Sequence, residues 1–425
     1  MPKAAFVSLC GAIVTACSHG ATTPLPGIAS NPSSAFRQPA SSGGYNAIYS
    51  FGEPAKSDDG ERPLTNLVDV HGDFYGTTVY GGTTNDQCSL GCGTVFRVST
   101  SGEESVIYRF KGGSDGADPV AGLTVVNGAL IGTTSGGGTG SACGGGCGTV
   151  FKVSTDGRSE EVLHSFSGGT DGADPVAGLV ALGGTLYGTT QFGGTVTPLC
   201  SSGCGTVFTV SASGAESVIY RFNAGKDGAN PVAGLLALDG KLYGTTQYGG
   251  APTSFCETGC GTIFRMSTAG SKMTLHDFKY ARGLNDGAFP AAALIAMGGD
   301  LYGTTIGGGK YGDGTIFEAN VSSGAETILH YFNCCRTIKD GMYPVAPLTP
   351  VKGVLYGTTR NGGTSDRGTV FVVTTSGAES ILHEFTGKPD GATPQAGLKF
   401  IGGALYGTTT DGGSQSEGTV FKLAP

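Results

Sequence analysis

Four pairs of cysteines are the residues best suited to chemistry in this sequence. Each pair has C-x3-C spacing and comes directly before a GTVF or GTIF segment: Cys88/Cys92, Cys143/Cys147, Cys200/Cys204 and Cys256/Cys260. Later copies of the same segment follow shorter loops without cysteine. Because cysteine accompanies the long loops, we predict that each pair forms a disulfide that closes its loop. In the chain-entropy model such a bond stabilises the fold by about 2 kcal/mol.

A metal site and a redox couple are the alternatives for these cysteines. Structural zinc takes about four ligands, so two loops with two thiols each would have to converge on one ion. The usual disulfide-exchange motif is C-x2-C rather than C-x3-C. Both alternatives are therefore weaker than loop closure. For the adjacent pair Cys334 and Cys335 the sequence leaves open a vicinal disulfide or two thiols.

Seven aspartates form a second repeated set. Each is followed by glycine and, four positions after itself, by proline: Asp59, Asp115, Asp171, Asp227, Asp286, Asp340 and Asp390. Asp before Gly forms a turn by accepting backbone N–H bonds, and proline begins a strand where no donor is required. Two copies carry a second aspartate, Asp118 or Asp174, three residues after the first. Because carboxylate oxygens bind calcium, a calcium site is the functional alternative. Asp-Gly-x-Asp supplies far fewer than the roughly six oxygens that calcium needs, so we predict turns and no cofactor or metal.

Four histidines share one repeat position with tyrosines. His164, His276, His330 and His383 stand where other copies carry Tyr49, Tyr108 and Tyr220. The interchange indicates that an aromatic ring with a polar tip satisfies the position. We therefore predict a structural role for these residues, and we predict no catalytic residue elsewhere, because no triad or nucleophile elbow is visible in the sequence.

The composition bounds the class of protein that must position these residues. The chain has 425 residues with 78 glycines, no tryptophan and 14% charged residues. Many short strands joined by tight turns are typical of such a composition, which predicts an all-β fold. The net charge of −8 and the scattered Lys and Arg argue against a nucleic-acid partner, since phosphate binding needs a concentrated basic surface.

Internal repeats decide the architecture. The segment GTT recurs at one repeat position in seven copies, which begin at Gly76, Gly132, Gly188, Gly244, Gly303, Gly357 and Gly407. Around each copy lie four strand candidates, as in GLVAL, LYGTT, GTVFTV and SVIYRF. A four-stranded unit of about fifty residues is typical of a propeller blade, whereas the coils of a β-solenoid are usually shorter. We therefore predict a seven-bladed β-propeller over residues 45–425.

The chain termini predict how the ring closes. The last copy ends after its third strand, in GTVFKLAP, while Tyr45 to Phe51 (YNAIYSF) matches the fourth strand of other copies. The N-terminal strand is therefore expected to complete the C-terminal blade. Closure of this kind removes the exposed sheet edges of an open array.

The repeated segments LYGTTxxGG and GTVFxVS resemble the choice-of-anchor tandem repeat family called GloVer. The resemblance covers about residues 45–425, with Ile131 in place of the usual Tyr in the second copy. It implies an exported bacterial body built from repeats, with interchangeable anchoring signals and no activity that can be carried over. The Gly-Gly after the second strand is also distantly similar to kelch repeats, from which the lack of tryptophan departs.

The N-terminus has the pattern of an export signal. Lys3 precedes an apolar run that is too short to span a bilayer and ends in VTAC, Val14 to Cys17. This end resembles a bacterial lipobox, which implies a signal peptide over residues 1–16, lipidation of Cys17 and, from Ser18, sorting to the outer membrane. An ordinary secretory signal is the alternative. Residues 17–44 are rich in Ser, Ala, Pro and Gly, and we predict a flexible tether that places the protein in the cell envelope or outside it.

Propeller geometry places the cysteine loops and the DGA loops on one face. On this face, the loops of copies three to six differ most from the repeated sequence pattern. Aromatic and arginine side chains in these loops could line a groove: Tyr248, Phe255, Tyr280, Arg282, Tyr311, Arg336 and Tyr343. We therefore predict a monomeric binding or protein-interaction scaffold, whose ligand is a glycan, a peptide or an envelope protein. The protein is expected to contact the membrane only through its N-terminal lipid. The alternative is a glycan-active lyase or hydrolase, which a pocket with convergent carboxylates on this face would favour.

Overall fold

A computed structural model describes residues 44–52, 58–281, 285–334 and 340–425. The predicted signal peptide, Cys17 and all but the last residue of the predicted tether lie outside these ranges. So do Arg282, Cys335 and Arg336. Within the described ranges no helix is long and apolar enough to cross a bilayer.

Seven antiparallel sheets of four strands make up the described body, which confirms the predicted seven-bladed propeller. The first strands are Val68–Val70, Thr124–Val126, Val180–Leu182, Leu236–Leu238, Ile295–Met297, Thr349–Val351 and Lys399–Ile401. The second strands are Asp73–Thr78, Ala129–Thr134, Thr185–Thr190, Lys241–Thr246, Asp300–Thr305, Val354–Thr359 and Ala404–Thr409. The third strands are Thr94–Ser99, Thr149–Ser154, Thr206–Val210, Thr262–Ser267, Thr315–Asn320, Thr369–Thr374 and Thr419–Leu423. We number the blades 1 to 7 in this order.

The fourth strands are Glu104–Arg109, Glu160–Ser165, Glu216–Arg221, Lys272–Asp277, Glu326–Tyr331, Glu379–Glu384 and, for blade 7, Asn46–Ser50. Two-residue strands pair in blades 5 to 7: Gly287–Ala288 with Gly307–Gly308, Gly341–Met342 with Asn361–Gly362, and Gly391–Ala392 with Asp411–Gly412. Single-turn 3-10 segments cover Gly113–Asp115 and Gly225–Asp227. First strands of neighbouring blades contact one another, which places them innermost in the ring.

The repeated GTT segment is a packing motif. Its glycine lies against the phenylalanine of the third strand, and a Cβ on Gly188 would come within 2.5 Å of Phe208 Cζ. The last threonine pairs with the first threonine of the third strand, as in Thr190 and Thr206, whose hydroxyl oxygens are 2.8 Å apart. The middle threonine bonds to the next blade, as Thr133 does by donating to the carbonyl of Ala177 at 3.3 Å. GTT therefore builds the interior of the blade and its contact with the neighbour.

Phenylalanine pairs join each blade to the next. A phenylalanine directly after the fourth strand meets the third-strand phenylalanine of the following blade, edge to face, as Phe166 does with Phe208 at a centroid distance of 5.0 Å. Both rings are fully buried. Such pairs add about 1 kcal/mol to the energy of area burial. The set runs around the ring: Phe51/Phe96, Phe110/Phe151, Phe166/Phe208, Phe222/Phe264, Phe278/Phe317, Phe332/Phe371 and Phe385/Phe421.

The ring closes as the sequence predicts. Asn46–Ser50 pairs antiparallel with Thr419–Leu423, and Asn46 lies opposite Lys422. Between blades 7 and 1, the Gly397 N–H donates to Asn66 Oδ1 at 2.6 Å. The first and last described strands therefore share one blade, and no sheet of the described chain is left incomplete.

Candidate functional site

The four predicted disulfides are present: Cys88–Cys92, Cys143–Cys147, Cys200–Cys204 and Cys256–Cys260. The loops that they close rest on the connection to the next blade, where Asn85 Nδ2 donates to the carbonyl of Lys111 at 2.8 Å. The cysteine loops and the DGA connections therefore share one face, which we call the loop face. The Cys334 N–H donates to Asp313 Oδ2 at 3.0 Å, and the question of a vicinal pair falls on Cys335, outside the described residues.

The repeated aspartates form turns by accepting backbone N–H bonds. Asp115 Oδ2 accepts from the Lys111 N–H at 2.7 Å, and Asp227 Oδ2 accepts from the Asn223 N–H at 2.8 Å. Each carboxylate thereby anchors the chain leaving the fourth strand. In the tyrosine copies the other carboxylate oxygen is directed to a further partner, whereas in histidine copies such as Asp340 that partner lies beside the same Oδ2, and Oδ1 accepts from the Gly341 N–H at 2.7 Å.

That partner is the Tyr or His of the preceding fourth strand. Tyr108 donates its hydroxyl to Asp115 Oδ1 at 2.6 Å, while His330 Nε2 lies 3.2 Å from Asp340 Oδ2. A phenol oxygen and an imidazole Nε2 thus reach the same carboxylate. This geometry accounts for the interchange of the two residue types.

A third residue completes each of these contacts and was missed by sequence reasoning. It stands at the start of the fourth strand of the next blade, and in five copies it is glutamate: Glu104, Glu160, Glu216, Glu326 and Glu379. Burial, together with the charge and hydrogen bond of Asp171, raises the pKa of Glu216 to about 7. The recurrence of Glu at one repeat position was the available signal, but its contact depends on how neighbouring blades pack.

A second set of positions lies directly before the seven prolines. We call it the pre-proline ring: Arg62, Asp118, Asp174, Asn230, Phe289, Tyr343 and Thr393. Every member has a positive φ, between 52° and 60°, a region that costs non-glycine residues about 1 kcal/mol or more. Backbone bonds hold the conformation: the Asp174 N–H donates to the Cys147 carbonyl at 2.9 Å, and the Asp174 carbonyl accepts from the Gln191 N–H at 3.0 Å.

Carboxylates dominate the ring in blades 2 and 3. Burial, and then the charge of Asp118, raises the pKa of Asp174 to about 7. The two side chains are therefore close enough to influence one another's proton. Both burial and the charge of Asp118 therefore disfavour ionisation of the Asp174 carboxyl.

Aromatic rings dominate the same face in blades 4 to 6. Tyr248 meets Phe289 edge to face at 5.7 Å, so one predicted ligand residue contacts a ring position that sequence reasoning missed. Phe255 and Tyr280 also meet, with centroids 5.3 Å apart. Tyr343 belongs to the pre-proline ring itself. Tyr311 is 44% exposed and has Lys310 Nζ over its ring at 5.2 Å.

The Gloeobacter/Verrucomicrobia repeat model matches the sequence in three overlapping segments, residues 22–199, 80–305 and 194–421. The chain belongs to this family. The resemblance drawn from LYGTTxxGG and GTVFxVS is thereby confirmed. No curated protein is significantly similar to this Gloeobacter/Verrucomicrobia repeat protein in sequence.

Solved structures similar to this repeat protein are distant in sequence. The nidogen/laminin complex shares 13% identity over 69% of this chain and 91% of that chain, with a TM-score of 0.41. A protein assigned as a 6-phosphogluconolactonase from Bacteroides fragilis shares 16% identity over 80% of this chain and 88% of that chain, with a TM-score of 0.48. TolB from Acinetobacter baumannii shares 14% identity over 69% of this chain and 60% of that chain, with a TM-score of 0.39. These values are too low to indicate an activity.

Proposed function

We propose that this protein is an exported, lipid-anchored propeller that binds a glycan or peptide of the cell envelope at its loop face. The observation that carries the proposal is the pre-proline ring. Its backbone is fixed by repeated hydrogen bonds, whereas its side chains are charged in blades 1 to 3 and aromatic in blades 5 and 6. Residues held in uncommon backbone conformations cluster at binding sites, because the surrounding structure pre-organises them.

The chemistry of the ring favours a glycan. Aromatic rings such as Phe289 offer an apolar face, and the carboxylates of Asp118 and Asp174 accept hydrogen bonds from hydroxyl groups. Sites that combine apolar walls with a few placed polar groups are typical of small-ligand recognition. A basic peptide would use the same carboxylates and is the other outcome of the test.

Binding can be tested with a glycan array and an envelope-peptide library probed by the intact chain. We expect a retained ligand whose affinity falls at least tenfold in the double variant Phe289→Ala/Tyr343→Ala. Met273→Ala, a change of an exposed residue on the outer strand of blade 4, is the control and should bind like wild type. Equal binding by both variants would overturn the assignment of the ring.

Anchoring is tested separately. The proposal expects radiolabelled lipid to be incorporated into the wild-type chain and not into a Cys17→Ser variant, and the label to fractionate with the outer membrane. Labelling that persists in the variant would contradict lipidation at Cys17. Release of unlabelled wild-type protein into the medium would instead support the ordinary secretory signal.

A glycan-active enzyme is the second candidate, and the Asp118/Asp174 pair favours it. One carboxyl that stays protonated near neutral pH beside an ionised one is the arrangement by which glycosidases supply an acid and a base or nucleophile. Asp174→Asn should then abolish turnover of the bound glycan while weakening binding far less, because the asparagine side chain keeps an oxygen that accepts a hydrogen bond. Absence of turnover in the wild-type chain for every retained glycan would leave the binding function alone.

A further inference from the structure

Three blade interfaces carry the same trio of histidine, aspartate and glutamate near the loop face. The trios are His164/Asp171/Glu216, His276/Asp286/Glu326 and His330/Asp340/Glu379. We propose that each trio binds one divalent first-row transition metal ion, for which zinc is the probe, and that the ion joins two neighbouring blades. This inference is independent of the ligand proposed for the pre-proline ring.

The distances within the trios suit a single ion. In each trio one ligand atom from every residue lies within 4.8 Å of the others. His Nε2 and Asp Oδ2 are 3.4 Å apart at Asp171, 3.6 Å apart at Asp286 and 3.2 Å apart at Asp340. Two ligands at about 2.1 Å from a tetrahedral zinc are separated by about 3.4 Å, so the existing spacing needs little change.

Several polar atoms of the trios are buried without a hydrogen-bond partner among the described residues. They include the ring nitrogens His164 Nε2 and His276 Nε2 and the carboxylate oxygens Glu216 Oε1, Glu326 Oε1 and Glu379 Oε1. A buried polar atom that lacks a partner is destabilising, because it has given up its hydrogen bonds to water. Metal coordination would supply the partner that these carboxylate oxygens lack, and it would replace the long contacts of 3.4 and 3.6 Å that the two ring nitrogens make with aspartate.

The interface between blades 3 and 4 carries its own cation at the equivalent place. Lys272 replaces the glutamate there, and its side chain is 2% exposed. Its Nζ donates to Asp227 Oδ1 at 3.0 Å, to the Asp227 carbonyl at 2.6 Å and to Thr274 Oγ1 at 3.0 Å. The fold therefore accepts a desolvated positive charge beside the repeated aspartate, and it holds that charge with three oxygens.

Tyrosine closes an interface without a cation. Between blades 1 and 2, the Tyr108 hydroxyl donates to Asp115 at 2.6 Å and also lies 3.3 Å from Glu160 Oε2. One hydroxyl thus bridges both carboxylates. Between blades 6 and 7, Tyr45 stands in place of the glutamate and stacks on His383 with ring centroids 3.9 Å apart. The trios are the interfaces in which His and Glu occur together and neither Tyr nor Lys completes the contact.

The donor atoms select the class of metal. An imidazole nitrogen with two carboxylates is a ligand set for zinc and neighbouring first-row ions, whereas calcium prefers oxygen ligands throughout. Three protein ligands leave a fourth tetrahedral position, which water can occupy. Because the glutamate comes from a different blade than the histidine, the bound ion is a clamp between blades.

The test measures zinc stoichiometry in the full chain, purified without a histidine tag and dialysed against EDTA. We expect about three equivalents of zinc per chain by elemental analysis and titration calorimetry, and a higher melting temperature with zinc. Glu216→Lys, Glu326→Lys and Glu379→Lys, which copy the interface that holds Lys272, should each remove one equivalent. Glu160→Lys, at an interface closed by tyrosine, is the matched control and should leave three.

Two further variants keep the proposal falsifiable if a lysine variant does not fold. Tyr108→His should create a trio with Asp115 and Glu160 and raise the stoichiometry to four, while Glu216→Gln should lower it to two. Circular dichroism checks folding in each case. Zinc stoichiometry that none of these changes alters, an absence of zinc binding, or binding of calcium in preference to zinc would overturn the proposal.

Discussion

The interior of the blades and the loop face differ in how far the seven copies diverge. In the interior, the Gly–Phe contact, the threonine pair and the inter-blade Phe–Phe pair recur around the ring. On the loop face, one structurally equivalent position carries Arg62, Asp118, Phe289 or Tyr343. The interior positions are fixed by side-chain packing, whereas the backbone at this loop-face position is held by backbone hydrogen bonds. Side chains are therefore free to vary where the backbone alone maintains the structure.

Removing the closing strand is the largest disturbance of the interior. Deletion of residues 45–51 takes away the fourth strand of blade 7 and the Phe51 ring that packs on Phe96, and it leaves Thr419–Leu423 as an open edge. We expect the free energy of unfolding to fall by roughly 5 kcal/mol or more, since loss of a buried phenylalanine alone costs about 3–5 kcal/mol. Urea unfolding followed by circular dichroism measures the loss.

A deletion of equal length in the predicted tether, residues 25–31, is the control for that experiment. The tether prediction expects no change in unfolding free energy. Equal stability of both deletion variants would contradict the closure of the ring by the N-terminal strand.

Single phenylalanines give a sharper form of the comparison. Phe208→Ala removes a fully buried ring and should cost about 3–5 kcal/mol, because the cavity cannot collapse between two packed blades. Phe255→Ala removes a ring that is 57% exposed on the loop face and should change stability by about 0.5 kcal/mol or less. Chemical denaturation of the two variants tests the difference. Similar losses in both would show that loop-face aromatics are part of the core.

The acidic pair makes the loop face sensitive to pH. The unfolded chain releases the Asp174 proton near pH 4, whereas the folded chain keeps it until about pH 7 because of burial and Asp118. Between these values the folded state binds more protons, so its stability falls as pH rises and the penalty is complete above pH 7. Asp174→Asn should therefore raise the unfolding free energy by roughly 4 kcal/mol at pH 8 and by little at pH 3.5.

Asn230 supports the choice of that variant. It occupies the equivalent position in blade 4 with a φ of 56°, so the fold accepts asparagine there. Unfolding of wild type and variant across pH 3.5 to 8 provides the measurement. A constant difference between them over the whole range would contradict the pKa shift of Asp174.

The fold could be predicted because its determinants are local and repeated. GTT, GTVF and the unmatched YNAIYSF strand are each visible in a few residues, and the ring follows from counting them. The disulfides were predictable for the same reason, since Cys143 and Cys147 lie in one short loop. The Asp turns also follow from the chemistry of adjacent residues such as Asp115 and Gly116.

The candidate sites were harder to predict because they depend on contacts between blades. Glu160 lies 52 residues from Tyr108, and only the packing of blade 2 against blade 1 brings them together. The pre-proline ring was hidden for a different reason. The residue type of Phe289 gives no indication of a positive φ, which the fixed backbone bonds impose, although Asp118 belongs to a type that adopts it more readily.

The disulfides give the smallest expected effect and test whether the loop face is stabilised locally. Cys143→Ser/Cys147→Ser should lower the unfolding free energy by about 2 kcal/mol, because a short loop gains little entropy when it opens. Dithiothreitol should lower the wild-type value further, by acting on four bonds, and should affect the variant less.

Thiol titration of the denatured, unreduced wild type should find few free thiols. Eight or more would contradict loop closure, and a loss as large as that of Phe208→Ala would mean that the clasped loops support the blade interior rather than the face alone.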